Sequence, residues 1–103
     1  MNKYKVAYRE LFRQDLNKIY LYIADTLKAP QAAGDLLDDI EKTINQIVIF
    51  PFSCRIFQHD PPLPEEFRMM PVKNYAVFYV VQGDTVEMRR VVYARMDLTK
   101  LFP

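Results

Sequence analysis

The sequence predicts an α+β fold, a two-layer sandwich in which a helical hairpin packs on one face of a small antiparallel sheet. Apolar residues recur at helical spacing between residues 9 and 50, and three strand-like runs separated by turn residues occupy 67–95. The chain has 103 residues, 50% of them hydrophobic, which suffices for one hydrophobic core and is too short for two. We therefore expect a single domain over residues 1–103 that folds without a metal or a disulfide.

A short strand and a long amphipathic helix are predicted at the beginning of the chain. Residues 4–8 alternate large apolar side chains with other residues over the length of one strand. From residue 9 to 28 the period changes, because apolar residues now recur at spacings of four, three, four and four and so share one helical face. The predicted inner face consists of Phe12, Leu16, Ile19, Ile23 and Leu27.

A second helix is predicted from Pro30 to the residues before Pro51. Proline suits the first turn of a helix and disfavours helical geometry in the residue before it, so Ala29 marks the break between the two helices. Pro51 ends the second helix because it lacks the N–H that the helix needs. The predicted inner face consists of Ala33, Leu37, Ile40, Ile44 and Ile47.

The remaining chain predicts a proline-rich loop followed by three antiparallel strands. Residues 51–66 hold four of the seven prolines and show no apolar period. The strands are predicted at 67–73, 75–82 and 85–95, and the middle one is apolar on both faces, as a central strand should be. The order is β-α-α-β-β-β, and one sheet face should stay open.

The last predicted strand leaves the position of one arginine undecided. Alternate residues of a strand point to the same face, and one such set is apolar apart from Arg90, so we expect it to face the core. The set consists of Val86, Met88, Arg90, Val92 and Ala94. A bulge near the strand end would turn Arg90 to the open face. The alternation alone does not decide between these two placements.

Charge and cysteine content bound the class of protein. The net charge of +1 excludes a histone-like protein that binds nucleic acid through its overall charge. Both ends are nevertheless basic, since residues 1–28 and 67–103 each carry six basic and three acidic residues. The middle is acidic, with one basic and four acidic residues in 29–54 and one basic and three acidic in 55–66. Cys54 is the only cysteine, and no basic and apolar leader opens the chain. We expect a cytoplasmic protein with no membrane partner, since no run approaches the roughly 20 apolar residues that span a bilayer.

An ordered set of segments resembles the RelE/ParE superfamily, the toxins of bacterial type II toxin-antitoxin (plasmid stabilisation) modules. The resemblance covers nearly the whole chain, and its segments are 4–8, 15–23, Pro30 with Ala32 and Ala33, 49–51, 67–68, 74–79 and 86–97. It implies a helical hairpin on an antiparallel sheet whose open, concave face does the work. It also implies a cognate antitoxin as partner, a possible toxin-antitoxin hetero-oligomer, and no cofactor.

Members of the superfamily have one of two activities. A third hypothesis is that this protein is a homologue that has lost both. RelE-like members cut messenger RNA on the ribosome without a metal, whereas ParE-like members poison DNA gyrase. Met70 and Ala76 stand where RelE-like proteins carry a lysine and an arginine, so the resemblance favours the ParE-like activity. The alternatives are a ribosome-dependent endoribonuclease and an inactive binding or repressor-partner module, and whether the protein is an enzyme stays open.

Cationic and phenolic side chains of the predicted sheet are the candidate site. RNA cleavage needs several cations converging on the phosphate together with an acid and a base, and exposed tyrosines can stack on bases. The candidates are a catalytic set, Arg68, Arg90, Tyr93 and Arg95, and a target-binding set, Lys73, Arg89, Tyr75 and Tyr79. The alternative is structural: the arginines pair with surface carboxylates, and Tyr93 packs. His59 is the only histidine, so no metal site is predicted.

Overall fold

The computed structural model describes residues 4–96 and 101. Its elements follow the predicted order β-α-α-β-β-β and form two helices packed against a four-stranded sheet, which confirms the α+β class. The strands are β1 (Lys5–Tyr8), β2 (Phe67–Val72), β3 (Tyr75–Gln82) and β4 (Thr85–Tyr93), and the helices are α1 (Glu10–Leu21) and α2 (Pro30–Ile49), with a π-helical segment (Tyr22–Thr26) after α1.

The sheet is mixed rather than wholly antiparallel. Its strand order is β1-β4-β3-β2, and β3 pairs antiparallel with both neighbours. β1 lies parallel to β4, with Val6 opposite Val86, so the prediction of an antiparallel sheet was wrong for this pair. The hairpin turns determine the directions of β2, β3 and β4, whereas β1 is separated from them by both helices, and no local turn specifies its direction.

The π-helical segment changes which residues of the first helix face the core. Phe12 and Ile23 are buried as predicted, and Leu16 and Ile19 pack partly against the same cluster. Leu27, predicted on the inner face, is 54% exposed. The backbone N–H of Leu27 donates to the carbonyl of Tyr22, a wider turn than in an α-helix, so the helical phase is lost before residue 27.

The second helix agrees with its predicted ends and most of its predicted face. It begins at Pro30 and ends two residues before Pro51. Leu36 is buried where Leu37 was predicted, and Leu37 is half-buried. The buried side chains of α2 are Ala33, Leu36, Ile40, Thr43, Ile44 and Ile47.

A β-bulge in β4 reverses the alternation of that strand. Met88 lies opposite Tyr79 and Arg90 lies opposite Phe78, which leaves Arg89 as the extra residue. Before the bulge Val86 and Met88 face the helices, as predicted; after it Val91 does. Val92, predicted inward, packs on the second face of the sheet instead.

The second sheet face is also buried, which corrects the expectation that it stays open. Its cluster contains Phe67, Ala76, Phe78, Val80, Val92 and Leu101, and the loop residues Phe57 and Leu63 pack against it. The backbone of Ile56 bridges to Arg68, so the loop also lies along the edge of β2. Neither helix within residues 4–96 combines the length and apolarity needed to cross a bilayer.

Candidate functional site

Arg68 holds the backbone of the loop that follows α2. Its side chain is 12% exposed and donates to the carbonyls of Cys54 at 2.7 Å and Phe52 at 3.3 Å. It also meets Glu66 at 3.0 Å, and its guanidinium lies over the Phe52 ring, 5.1 Å from the centroid. Nη1 and Nη2 of Arg68 therefore donate to protein groups, as those of a structural arginine would.

Arg89, the bulge residue, is the centre of a charged network that ties the loop to the sheet. It forms a bidentate pair with Glu65, both bonds 2.8 Å long, and meets Glu87 at 2.6 Å. Glu87 also accepts from Arg9 at 3.3 Å. The hydrogen bonds from Arg89 hold the pKa of Glu65 and that of Glu87 below their ordinary values, and the bond to Glu65 raises the pKa of Arg89.

This network predicts a loss of stability in acid. Because folding lowers the pKa of Glu65 below its ordinary 4.5, the carboxylate stabilises the fold above about that pH, and the contribution disappears as the pH falls through the lowered pKa. Glu65→Gln should reduce the free energy of unfolding at neutral pH by about 0.5–1 kcal/mol and flatten its acid dependence. Urea unfolding at several pH values measures both. Glu41→Gln, at an exposed helix position, is the control and should keep the parental profile.

Arg90 is paired with the first helix. Its Nε and Nη2 donate to the carboxylate of Asp15 at 2.7 and 2.9 Å, and the backbone N–H of Val91 donates to the same carboxylate at 3.1 Å. The Arg90 side chain is 21% exposed and that of Asp15 12%. The hydrogen bonds to Asp15 raise the pKa of Arg90. The bulge sets Arg90 opposite Phe78, on the second face, which decides the placement that the sequence left open.

The three candidate tyrosines differ in exposure. Tyr79 is fully buried and donates its hydroxyl to the carbonyl of Pro51 at 2.7 Å, and burial raises its pKa. The expectation that Tyr79 lies on a stacking surface was wrong, because its strand is covered on both faces. Tyr75 is half-buried, and Tyr93 is 44% exposed; their rings meet edge to face at 5.8 Å.

The last two predicted cations lie at the surface. Lys73, in the β2–β3 turn, forms an ion pair of 3.1 Å with Asp39 of α2. Arg95 follows β4 and is exposed, and it forms no ion pair within residues 4–96. Asp97, which ends the matched segment 86–97, lies outside the described residues. The predicted cations are thus mostly occupied by separate partners.

The groove, by which we mean the concave surface between α1, the π-helical segment, the start of α2 and the end of β4, was not predicted. It has a volume of about 890 Å³, and most of its lining is apolar. Tyr22 and Leu27 lie on its helical side, and Tyr75, Tyr93 and Met96 on its strand side. On the helical side, Leu27 is exposed because of the π-helical phase change, which no spacing in the sequence signals.

No metal-binding arrangement occurs among the described residues: no three His, Cys, Asp or Glu side chains lie close enough together to hold an ion. His59 packs against the Phe57 ring, and its Nδ1 lies 2.7 Å from the carbonyl of Pro61. Both contacts are within the loop.

Comparison with known proteins decides the family. Residues 6–98 match the family model described as the ParE toxin of the type II toxin-antitoxin system, parDE. This chain belongs to the ParE toxin family.

Solved structures show the same fold as this ParE toxin. A chain of the chromosomal ParDE toxin-antitoxin system from P. aeruginosa superposes with a TM-score of 0.72 at 15% sequence identity. The superposition covers 90% of this toxin and 98% of that chain. No curated protein matches the toxin significantly. The family match confirms the predicted resemblance.

Proposed function

We propose that this ParE-type toxin arrests bacterial growth by binding DNA gyrase in the cytoplasm, without cleaving RNA, and that a cognate antitoxin neutralises it in a hetero-oligomer. The proposal rests on the hydrogen bonds and ion pairs that three of the predicted arginines form within the protein. Arg68, Arg89 and Arg90 each bind carboxylates or carbonyls of the protein itself. A gyrase inhibitor acts through contact and needs no free catalytic cations.

The sheet surface offers few free groups for ribonuclease chemistry. Cleavage beside a 2′-hydroxyl needs cations free to stabilise the charge on the phosphate and a positioned acid and base. Tyr93 and Arg95 are exposed, but the sheet face on which RelE-like proteins are expected to bind RNA is here covered by Phe57, Leu63 and Leu101. The covered face favours the gyrase proposal over the endoribonuclease.

The groove supports an antitoxin partner. One recurring way in which a peptide segment binds a protein is to lay its apolar face into a hydrophobic groove. Lys18 lines the groove, and Lys28 and Arg95 adjoin groove residues in the sequence; all three are exposed and without an ion pair within residues 4–96. These features suit an antitoxin segment that has apolar side chains on one face and acidic ones beside them.

Induction in bacteria, with and without the gene of the neighbouring antitoxin, tests the proposal. We expect growth arrest that the antitoxin reverses, and inhibition of supercoiling when purified toxin is added to purified gyrase. Primer extension on messenger RNA from induced cells should show no new ends. Discrete cuts at codon positions with gyrase unaffected would establish the endoribonuclease, and unaffected growth in both strains would establish the inactive homologue.

A further inference from the structure

Phe50 and Phe52, which we name the aromatic ridge, are the most exposed large apolar side chains in the part of the chain that the structure describes. They are 60% and 56% exposed. Neither ring lines the groove. Exposed aromatic side chains of this size are enriched at the centres of protein interfaces. In the proposed function the groove receives the antitoxin, so the ridge is a second apolar surface without an assigned role.

The backbone beneath the ridge is held by buried or nearly buried side chains. Tyr79 donates its hydroxyl to the carbonyl of Pro51, between the two rings, at 2.7 Å. Arg68 donates to the carbonyl of Phe52 at 3.3 Å and to that of Cys54 at 2.7 Å. Two side chains predicted to contact a target therefore hold the loop that carries the ridge.

Local contacts complete this support. The Phe50 carbonyl accepts from the backbone N–H and the hydroxyl of Ser53, at 3.1 and 2.8 Å. The Phe52 ring meets the Tyr4 ring edge to face, with centroids 6.2 Å apart. A side chain held in place before binding loses little conformational entropy on binding, so a rigid aromatic residue contributes more affinity than a mobile one.

The shape and charge of the ridge indicate what kind of partner it fits. A flexible segment such as an antitoxin tail binds in a groove, whereas aromatic rings that project from a surface fit pockets in a folded partner. Arg55 follows the ridge, is exposed, and forms no ion pair within residues 4–96. The complementary surface is therefore an apolar pocket with a carboxylate at its border.

We propose that the aromatic ridge is the surface through which the toxin contacts its folded protein target, and that it is separate from the groove that receives the antitoxin. This inference rests on the proposed function, which makes the target DNA gyrase. Phe50 and Phe52 enter the apolar pocket of the target, and Arg55 pairs with the carboxylate at its border. Tyr79 and Arg68 hold the backbone of the loop that carries the ridge.

The test is the double variant Phe50→Ser plus Phe52→Ser, with Leu11→Ser as the matched control. Leu11 is 54% exposed on α1 and belongs to neither the ridge nor the groove. We expect the double variant to lose growth arrest and to bind purified gyrase at least about tenfold more weakly. Its melting temperature should fall by no more than about 10 °C, because the Phe52 ring loses its contacts with Tyr4 and Arg68, and its complex with the co-expressed antitoxin should stay parental. Leu11→Ser should keep the parental toxicity and affinity.

A second variant guards against misfolding of the first. Arg55→Glu changes only an exposed charge, and it should weaken gyrase binding several-fold without a change in melting temperature. Parental gyrase affinity in both variants would overturn the inference. A double variant that loses antitoxin binding but stays toxic would also overturn it, because the ridge would then bind the antitoxin. So would a parental protein that forms a dimer and a double variant that does not, because the ridge would then bind a second copy.

Failure of the gyrase proposal is distinguishable from failure of the ridge. If the parental protein is toxic but does not bind gyrase, gyrase is not the target. The growth assay on the same variants still tests whether the ridge contacts the target. Toxicity lost in the double variant and kept in Leu11→Ser supports that role, and toxicity kept in both overturns it. A parent that neither arrests growth nor binds gyrase overturns both proposals.

Discussion

Asp15→Ala is expected to lower the free energy of unfolding by about 3–5 kcal/mol, because it leaves a largely buried guanidinium without its partner. The Asp15 carboxylate accepts two hydrogen bonds from Arg90 and one from the backbone N–H of Val91. Both side chains are less than a quarter exposed, so water cannot replace these bonds fully. Urea unfolding monitored by circular dichroism measures the change.

Two controls separate this pair from general effects of charge removal. Asp25→Ala removes an exposed carboxylate from the neighbouring π-helical segment and should change the free energy of unfolding by no more than about 0.5 kcal/mol. Asp15→Leu combined with Arg90→Met should recover much of the loss, because apolar residues can replace a buried ion pair. A loss below about 1 kcal/mol in Asp15→Ala would show that Arg90 does not depend on Asp15.

Phe78→Ala is expected to cost about 3–5 kcal/mol of stability, as for a large aromatic side chain in a packed core. Phe78 is 0% exposed in the cluster on the second sheet face, and its ring meets that of Phe57 edge to face at 5.1 Å. Alanine would leave a cavity under the proline-rich loop. The same unfolding measurement applies.

Phe50→Ala is the matched control, since it removes the same ring from a site that is 60% exposed. It should cost no more than about 1 kcal/mol. If Phe78→Ala cost as little as Phe50→Ala, the second face would behave as an open surface. RNA binding on that face would then become the better proposal, which makes this stability measurement informative about function.

The distribution of charge separates structural from interacting residues in this toxin. Arg68, Arg89 and Arg90 bind the loop, the bulge network and α1 respectively, so each is committed to holding two parts of the fold together. The surfaces left for partners are the largely apolar groove and the aromatic ridge. Recognition by apolar contact with cations at the border is consistent with a protein target and a protein antitoxin.

Local pattern determined the elements of the fold. Apolar spacing and Pro30 predicted α2, whose observed start is that residue, and the run 75–82 coincides with β3. These features depend on neighbours along the chain, and the backbone obeys the period of its own side chains. The ordered segments also determined the family, which the match over residues 6–98 confirms.

Tertiary structure decided everything that depends on contacts between distant segments. The bulge at Arg89 and the π-helical turn each shift a side-chain period by part of a repeat. Arg90 among apolar positions made a bulge one of two open alternatives, and no spacing indicated the π-helical turn. Whether Arg90 meets a ligand or Asp15, 75 positions away, is decided by where α1 packs on β4. Charges were visible from the sequence, but their partners were not, because an ion pair depends on distances in space.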